Sequence, residues 1–543
     1  MRVFARTVSA IAALCLATLL AMAVATGSIA FEAMPLPMVV RNGATGDKHL
    51  VETMIAGVAA FDFDGDGWTD IFVANGASFP ELKKTGAGYS NRLFHNNHDR
   101  TFTDATERAG LAGEGYSMGV AAGDFDNDGH VDLFVTGVRG NHLYRNRGDG
   151  TFEDVTATAG VGGDGEWSAA AGWFDYDNDG RLDLLVMRYV QWNLESDTVC
   201  GPPGHRQYCN PRHYKPLSNI LYHNLGNGRF EDVSRRSGIA TLSGKGMGAA
   251  FGDYDGDGRT DIFVANDTMP NFLLHNESEG KFRDVAVDAG VAYNENGSAI
   301  SSMGADFRDY DNDGRDDIFL TALPDETFPL FRNLGGGHFA DATYASGIAK
   351  LSVPWGGWST GMFDLDNDGR KDLFVAGGHV MDNAEASSAR ASRQPNLVFR
   401  SGPNGKFTAV ELDGKALHRG AAFADFDHDG KVDVVVTRLN EAPLVLWNRT
   451  SGTGHWLDLQ LVGHASNRDG IGARITIQTS AGRQWNRVTT SVGYGGSSDR
   501  VVHFGLGNDA VVERIDIAWP SGVKQSLSRV PADQLMRIAE SAH

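Results

Sequence analysis

Positive charge is scarce in this chain: 48 Lys and Arg stand against 69 Asp and Glu, a formal charge of −21 over 543 residues. That balance excludes nucleic-acid binding through a general basic field. After residue 30 no stretch approaches the ~20 apolar residues of a membrane span. The sequence holds no H-E-x-x-H, no C-x-x-C-H and no P-loop, so nothing in it establishes an enzyme. Cysteine is nearly absent, with 3 in all.

Glycine, by contrast, is abundant at 68 residues, which argues for turns and against long helices. Arg2 and Arg6 precede an apolar run from Val8 to Val24 and then small residues, the pattern of a secretory signal peptide over residues 1–30. An uncleaved N-terminal anchor is the alternative. Cleavage removes Cys15, and the remaining Cys200 and Cys209 are expected to form one disulfide in an exported chain, periplasmic, extracellular or cell-surface associated.

One string dominates the sequence. D-x-D-x-D-G-x-x-D occurs seven times, with starts 62, 51, 78, 56, 55 and 61 residues apart. An apolar triplet follows each copy, such as Ile71-Phe72-Val73 or Leu133-Phe134-Val135, and reads as a buried strand. A second strand follows, as in Asn141-His142-Leu143-Tyr144, then a glycine turn into Phe152-Glu153-Asp154-Val155; another strand precedes each acidic loop. Four antiparallel strands per repeat are the signature of a β-propeller blade. Five residues before each first Asp stand Gly57, Gly119, Ala170, Gly248, Gly304, Ser359 and Gly420, small enough for strands converging on an axis. The expected fold is all-β, a seven-bladed β-propeller over residues 31–450. The last repeat shows three clear strands, so the apolar segment Met38 to Arg41 is expected to supply its outer strand, or else to cover the edge as an arm. The long third interval places an insertion at 188–216.

The acidic loops read as oxygen cages for hard cations, about seven Ca2+, with Mg2+ the weaker candidate. The carboxylate ligands are Asp62, Asp64, Asp66 and Asp70; Asp124, Asp126, Asp128 and Asp132; Asp175, Asp177, Asp179 and Asp183; Asp253, Asp255, Asp257 and Asp261 in the first four copies. Asp309, Asp311, Asp313 and Asp317; Asp364, Asp366, Asp368 and Asp372; Asp425, Asp427, Asp429 and Asp433 complete the set. Position seven would offer its backbone carbonyl, whatever its side chain: Trp68, His130, Arg181, Arg259, Arg315, Arg370 or Lys431. An EF-hand is excluded, because position twelve is apolar in all seven copies and lies in a strand. The cages hold 28 of the 69 acids, and such crowding of like charge calls for a neutralising ion.

These repeats, joined to N-x-L-[FY]-x-N and G-x-F-x-D-[VA]-[ST], resemble the FG-GAP/VCBS repeats of integrin α-chain propellers. The tail, with Asn467-Arg468-Asp469-Gly470-Ile471-Gly472-Ala473, Phe504-Gly505-Leu506-Gly507 and Trp519-Pro520-Ser521-Gly522, is similar to the ASPIC/UnbV domain. The pairing is typical of bacterial relatives of cartilage acidic protein. The resemblance implies calcium-bound propellers at or outside the cell surface, mostly without assigned chemistry. Phe61 and Arg308 stand where the repeats usually carry Gly. Strand candidates Trp456 to Leu461, Arg474 to Gln478, Val501 to Phe504 and Glu513 to Ile517 make residues 451–543 a small β domain, a sandwich or a barrel, packed on the propeller.

Two G-x-S-x-G strings, Gly115 to Gly119 and Gly357 to Gly361, lead into inner strands rather than a helix, and Gly160 to Gly165 opens no helix, so none marks a nucleophile or dinucleotide site. Because each cage joins strands one and two, the loops before strand one and after strand two lie on the opposite face. They carry Tyr116, Trp167, Lys245, Trp355, Trp358 and His418, then Arg139, Arg188, Tyr189, His379 and Arg438. Aromatic and basic groups there suit a polar or anionic ligand; tryptophans that plug the channel or pack under the insertion are the other reading. Two functions fit: a recognition, adhesion or scaffold module for a protein or glycan, or an exported propeller enzyme, such as a polysaccharide lyase or quinoprotein-like oxidoreductase, using that face.

Overall fold

The computed structural model describes residues 28–202, 206–386, 388–412 and 414–542. The signal peptide expected over 1–30, Cys15 included, lies outside them except for its last three residues. β-Branched and aromatic triplets between glycine turns form seven four-stranded antiparallel sheets, one per acidic repeat. In the second, Ser117–Gly123 pairs with Asp132–Gly137, which pairs with His142–Asn146 and then Phe152–Asp154. The innermost strands are Val58–Phe61, Ser117–Gly123, Ser168–Phe174, Gly246–Gly252, Ala305–Arg308, Gly357–Phe363 and His418–Ala424. Each lies against the next, and the last lies against the first, so the sheets are the blades of a closed propeller.

The N-terminus does close the ring, but not with the segment expected. Phe31–Pro35 pairs antiparallel with Leu444–Asn448, in register from Phe31 opposite Asn448 to Pro35 opposite Leu444. Within Met38 to Arg41 only Val40 makes a β contact, an isolated bridge to Leu439. Val40 and Leu36 fill the core beside Leu439 instead of extending a strand.

Neighbouring blades are sewn together by the Asn that ends most third strands. Asn146 donates from Nδ2 to Val131 O in its own blade, at 3.1 Å, and to Phe63 O in the preceding blade, at 2.8 Å. Asn96, Asn224, Asn276, Asn333 and Asn448 repeat the arrangement, and Asn96 reaches Phe426 O across the closure at 2.9 Å. In the sixth blade this position is Ser401. Each bond pairs carbonyls that would otherwise be buried without a donor.

The tail forms two sheets, a sandwich of seven strands. Val502–Gly507, His455–Val462 and Gln534–Ala539 make one; Arg483–Arg487, Arg474–Gln478, Val511–Ala518 and Lys524–Pro531 make the other. Their apolar faces share a core containing Leu457, Leu459, Ile475, Ile477, Ile515 and Ile517. Between the sheets the chain departs and threads the propeller axis. Gly496–Ser497 joins the first blade as a parallel fifth strand, opposite Val58 and Ala59. Gly493 N donates to Ala305 O at 2.8 Å, Val120 N to Gly495 O at 3.1 Å, and Tyr494 Oη to Met54 O at 2.7 Å. The small inner-strand residues therefore serve two purposes. A Cβ at Gly248 would lie 2.5 Å from Gly493 O, while one at Gly420 would lie 1.8 Å from Ala56 O in the neighbouring blade. The channel is filled by the chain's own tail.

Candidate metal centres and the opposite mouth of the propeller

Each acidic loop winds into the same cup. In the second blade, Asp124 Oδ1 accepts from Asp128 N at 3.1 Å and Oδ2 from Gly129 N at 2.7 Å, while Asp128 Oδ1 accepts from His130 N at 2.9 Å. Asp132 accepts from Phe125 N at 3.1 Å and from Asn146 N at 2.7 Å, tying the cup to the third strand. Two backbone positions are left-handed. The sixth is glycine throughout, as at Gly129, where φ is 94°. The fourth holds Gly65, Asn127, Asn178, Gly256, Asn312, Asn367 and His428, all at positive φ. That Gly/Asn pattern was a readable turn signal.

In the second blade the carboxylate at loop position three, Asp126, makes none of these backbone bonds. Asp126 Oδ1, Asp366 Oδ1 and Asp427 Oδ1 are buried oxygens without a hydrogen-bond partner. In the first blade, one oxygen each of Asp62, Asp64 and Asp66 lie within 4.8 Å of one another, the span two ligands of a cation with ~2.4 Å bonds can bridge. Burial pushes the carboxyls of Asp70 up to about 9, of Asp175, Asp261 and Asp425 to about 8, and of Asp364 to about 7. An all-oxygen donor set, convergent and with buried oxygens left unpartnered, fits a hard divalent cation.

Sequence reading missed the cationic side chains around these cups. The third strand aims His95, Arg145, His223, His275, Arg332 and Arg400 at the loop's acids. Arg145 Nε lies 2.7 Å from Asp126, Arg332 Nε 2.6 Å from Asp311, and Arg400 Nη2 2.6 Å from Asp366. The seventh blade has Trp447 at this position, and Arg449 and Arg100 approach Asp427 instead. Position seven is not indifferent to its side chain either. Arg181, Arg259, Arg315 and Arg370 pair with the fifth-position Asp of their own loops, and Lys431 does so with Asp429 at 2.8 Å. Trp68 stacks between His98 and His428, 4.5 and 4.0 Å away by ring centroids.

The tail packs on the cage face. Asp124 N donates to Asp469 Oδ2 at 2.8 Å, Arg468 N to Asn127 Oδ1 at 2.8 Å, and Lys371 Nζ to Trp485 O at 3.0 Å. Arg308, unusual for its repeat position, is buried, paired with Asp306, and donates to Asn486 in the tail at 3.2 Å. A cavity of about 390 Å3 remains between the tail and the cages of the first and last blades.

On the opposite face, the residues expected to form an exposed recognition surface are largely interior. Trp167, Trp358, Tyr116, Tyr189, Lys245 and His418 are all buried. Trp167 packs against Tyr189 and Trp192 of the insertion, and Trp358 lies under the Arg419 guanidinium, 3.9 Å from ring to Cζ. Arg419 itself is buried and donates to the carbonyls of Thr53, His418 and His379. Large aromatic rings are retained in the core because they fill the wide end of the ring. Arg139 is exposed, and Arg188, Trp355, His379 and Arg438 are half-buried. Cys200 and Cys209 form a disulfide, with Cα atoms 5.3 Å apart, in the insertion. Beneath it lies a cavity of about 420 Å3, bordered by Tyr189, Trp358 and His379 among others.

The FG-GAP-like repeat model matches residues 62–135, 125–186, 214–264, 253–320 and 309–375, and the ASPIC and UnbV model matches residues 463–543. The chain is 25% identical over 363 residues to cartilage acidic protein 1 of Homo sapiens, covering 64% of this chain and 50% of that protein. It is 26% identical over 324 residues to the Mus musculus protein, covering 57% and 47%. The chain thus spans about half the length of the curated relatives it matches. Among solved structures, an Agrocybe aegerita lectin that recognises non-reducing terminal N-acetylglucosamine is similar at 16% identity and a TM-score of 0.42, over 77% of this chain and 96% of that one. A rhamnogalacturonan lyase of Bacillus licheniformis is similar at 13% identity and a TM-score of 0.37, over 77% and 75%.

Proposed function

The chain belongs to the FG-GAP-like repeat family, with an ASPIC and UnbV domain at its end, and on that basis we propose an exported, calcium-stabilised recognition or scaffold module for a protein or glycan. The observation that carries the calcium reading is the set of buried, unpartnered oxygens on Asp126, Asp366 and Asp427, at the loop position where a cation would complete the bonding. Calcium would be held by the four aspartates of each loop and would supply charge neutralisation, not chemistry. The Cys200–Cys209 disulfide suits an oxidising compartment, and no helix among the described residues is long and apolar enough to cross a membrane.

Recognition is assigned to the face opposite the cages because the tail occupies the cage face. Arg139 is exposed there and suits an anionic group on the partner, beside Arg188 and Arg438, which are half-buried and paired with Asp164 and Glu441. The test is capture on a glycan array and by protein cross-linking in calcium, comparing the native chain with Arg139→Ala and Arg188→Ala. Capture should fall in both variants while the melting temperature in calcium stays within a degree or so. Undiminished capture by both variants would refute the assignment of this face.

A further inference from the structure

The cavity under the disulfide loop has a composition unlike the surrounding surface. Four methionines border it, Met54, Met247, Met303 and Met381, with Tyr189, Tyr208 and Trp358 adding aromatic faces. Its volume of about 420 Å3 is within the range of small-molecule sites. Thioethers and aromatic rings give an adaptable, polarisable wall for an apolar body.

Among the described residues that border it, Asp267 is the single Asp, Glu, Lys or Arg. This aspartate is 9% exposed. One carboxylate oxygen accepts the Tyr189 hydroxyl at 2.5 Å, and the other is buried without a hydrogen-bond partner. Lys245 stands nearby, but its Nζ reaches Thr268 Oγ1, at 3.5 Å, and forms no ion pair with Asp267. Burial raises the Asp267 carboxyl to about 6, against the opposing pull of the Tyr189 bond, the Lys245 charge, the Ser301 side chain and the more distant Arg212 charge. A buried carboxylate with spare acceptor capacity costs stability unless something meets it. At the pocket's roof Cys200 is bonded to Cys209, and Tyr208 Oη donates to Glu52 Oε2 at 3.1 Å and to Asp382 Oδ2 at 3.3 Å. Tyr494 of the axial segment fixes the wall through Met54 O.

We propose that this cavity binds a small organic amine with an apolar body, its ammonium group paired with Asp267 and its body held by the methionines and aromatic rings. The charge of the single acidic group selects a cation, and the wall selects against a strongly hydrated one. The proposal deepens the recognition reading and depends on it for which mouth of the propeller faces ligand.

The experiment is isothermal titration of the full-length, calcium-loaded protein with 2-phenylethylamine, with 2-phenylethanol as the neutral analogue and 3-phenylpropanoate as the anion. The amine should bind, and the alcohol and acid should bind at least roughly tenfold more weakly, the worth of one charge-assisted bond. Asp267→Asn keeps an acceptor for Tyr189 and should reduce the amine to the alcohol's affinity, whereas Met303→Trp, which fills the cavity, should abolish binding of all three. Equal binding of amine and alcohol by the native protein, or no heat from the amine at millimolar concentration, overturns the proposal without any variant. If partner capture depends on Arg139 and Arg188 while the amine fails to bind, the amine site alone is wrong; if both fail, the assignment of this face falls with it.

Discussion

Removing calcium should lower the melting temperature, and a single cage mutation should change sign with it. At ~2 mM calcium and extracellular-type dissociation constants of ~10⁻⁴–10⁻³ M, each occupied cage adds roughly 0.7–1.8 kcal/mol by mass action. Seven cages then contribute on the order of 5–13 kcal/mol, and for a chain this long the melting temperature should fall by roughly 5–12 °C in chelator. Asp175 gives the sharper arm. It is 3% exposed, and no Lys, Arg or His among the described residues lies within ion-pair distance of it. In chelator at pH 9, above the value of about 8 to which burial pushes this carboxyl, Asp175→Asn relieves repulsion from Asp177, Asp179 and Asp183, on the order of 1 kcal/mol for each close pair at water-like screening, so the variant should melt higher than the native chain there. In calcium it loses one cage's share and should melt lower. Calorimetry after exhaustive dialysis, with and without calcium, reads both arms. An unchanged native melt in chelator, or a variant shifted in the same direction under both conditions, would refute the cage reading.

The blade stitch makes a second expectation: Asn146→Ala strips Phe63 O and Val131 O of their donor and should cost about 1–3 kcal/mol in urea unfolding. No loss of stability would mean that water replaces the side chain there. Tyr494→Ala should loosen the axial segment, seen as faster amide exchange at Gly493 to Ser498 with cage melting retained; unchanged exchange would show that the segment is held by its backbone bonds alone. The insertion is tied down through His49 Nδ1, 2.6 Å from Asp197 Oδ2, which raises the histidine's pKa through that hydrogen bond and keeps Asp197 below its ordinary value despite burial. Because the histidine's folded value is raised, its contribution is complete below 6.5 and is lost as pH climbs past that raised value; the aspartate's contribution is lost only as pH falls through its lowered one. Proteolysis within 195–215 should therefore be slower at pH 6 than at pH 9, and His49→Gln should remove the difference; equal cleavage by the native protein at both pH values would count against it.

The repeat was legible because it is written in local chemistry. Aspartates at alternate positions and a glycine at the sixth define the loop without reference to any distant contact, and the flanking triplets define the strands. Cys200 and Cys209 were readable as a pair for the same reason. What escaped is what depends on distant partners. Val488 to Arg500 reads as a glycine- and serine-rich turn, and only the finished ring gives it a channel to fill. For Trp358 and Trp167 the sequence left a surface role and packing in the channel or under the insertion both open, because a loop position says nothing about depth; the structure shows the second. The closing strand was misplaced by a few residues, since Met38 to Arg41 is as apolar as Phe31 to Pro35 and only pairing with Leu444 to Asn448 separates them.

The docked tail makes seven loops of one design unequal in time. Asp64 and Asp66 of the first blade, and Asp255 and Asp257 of the fourth, stand exposed to solvent, whereas Asp364 and Asp366 of the sixth are buried, with Gly505 of the tail crowding Asp364. An ion in the open loops can leave in one step. An ion in the sixth must wait for the tail to lift away from Asn367, whose Oδ1 lies 2.8 Å from His503 Nε2 and whose carbonyl accepts from Gly507 N at 2.9 Å. Exchange of bound calcium would then run in at least two phases, and the slow phase would report the opening rate of the tail rather than the affinity of any loop.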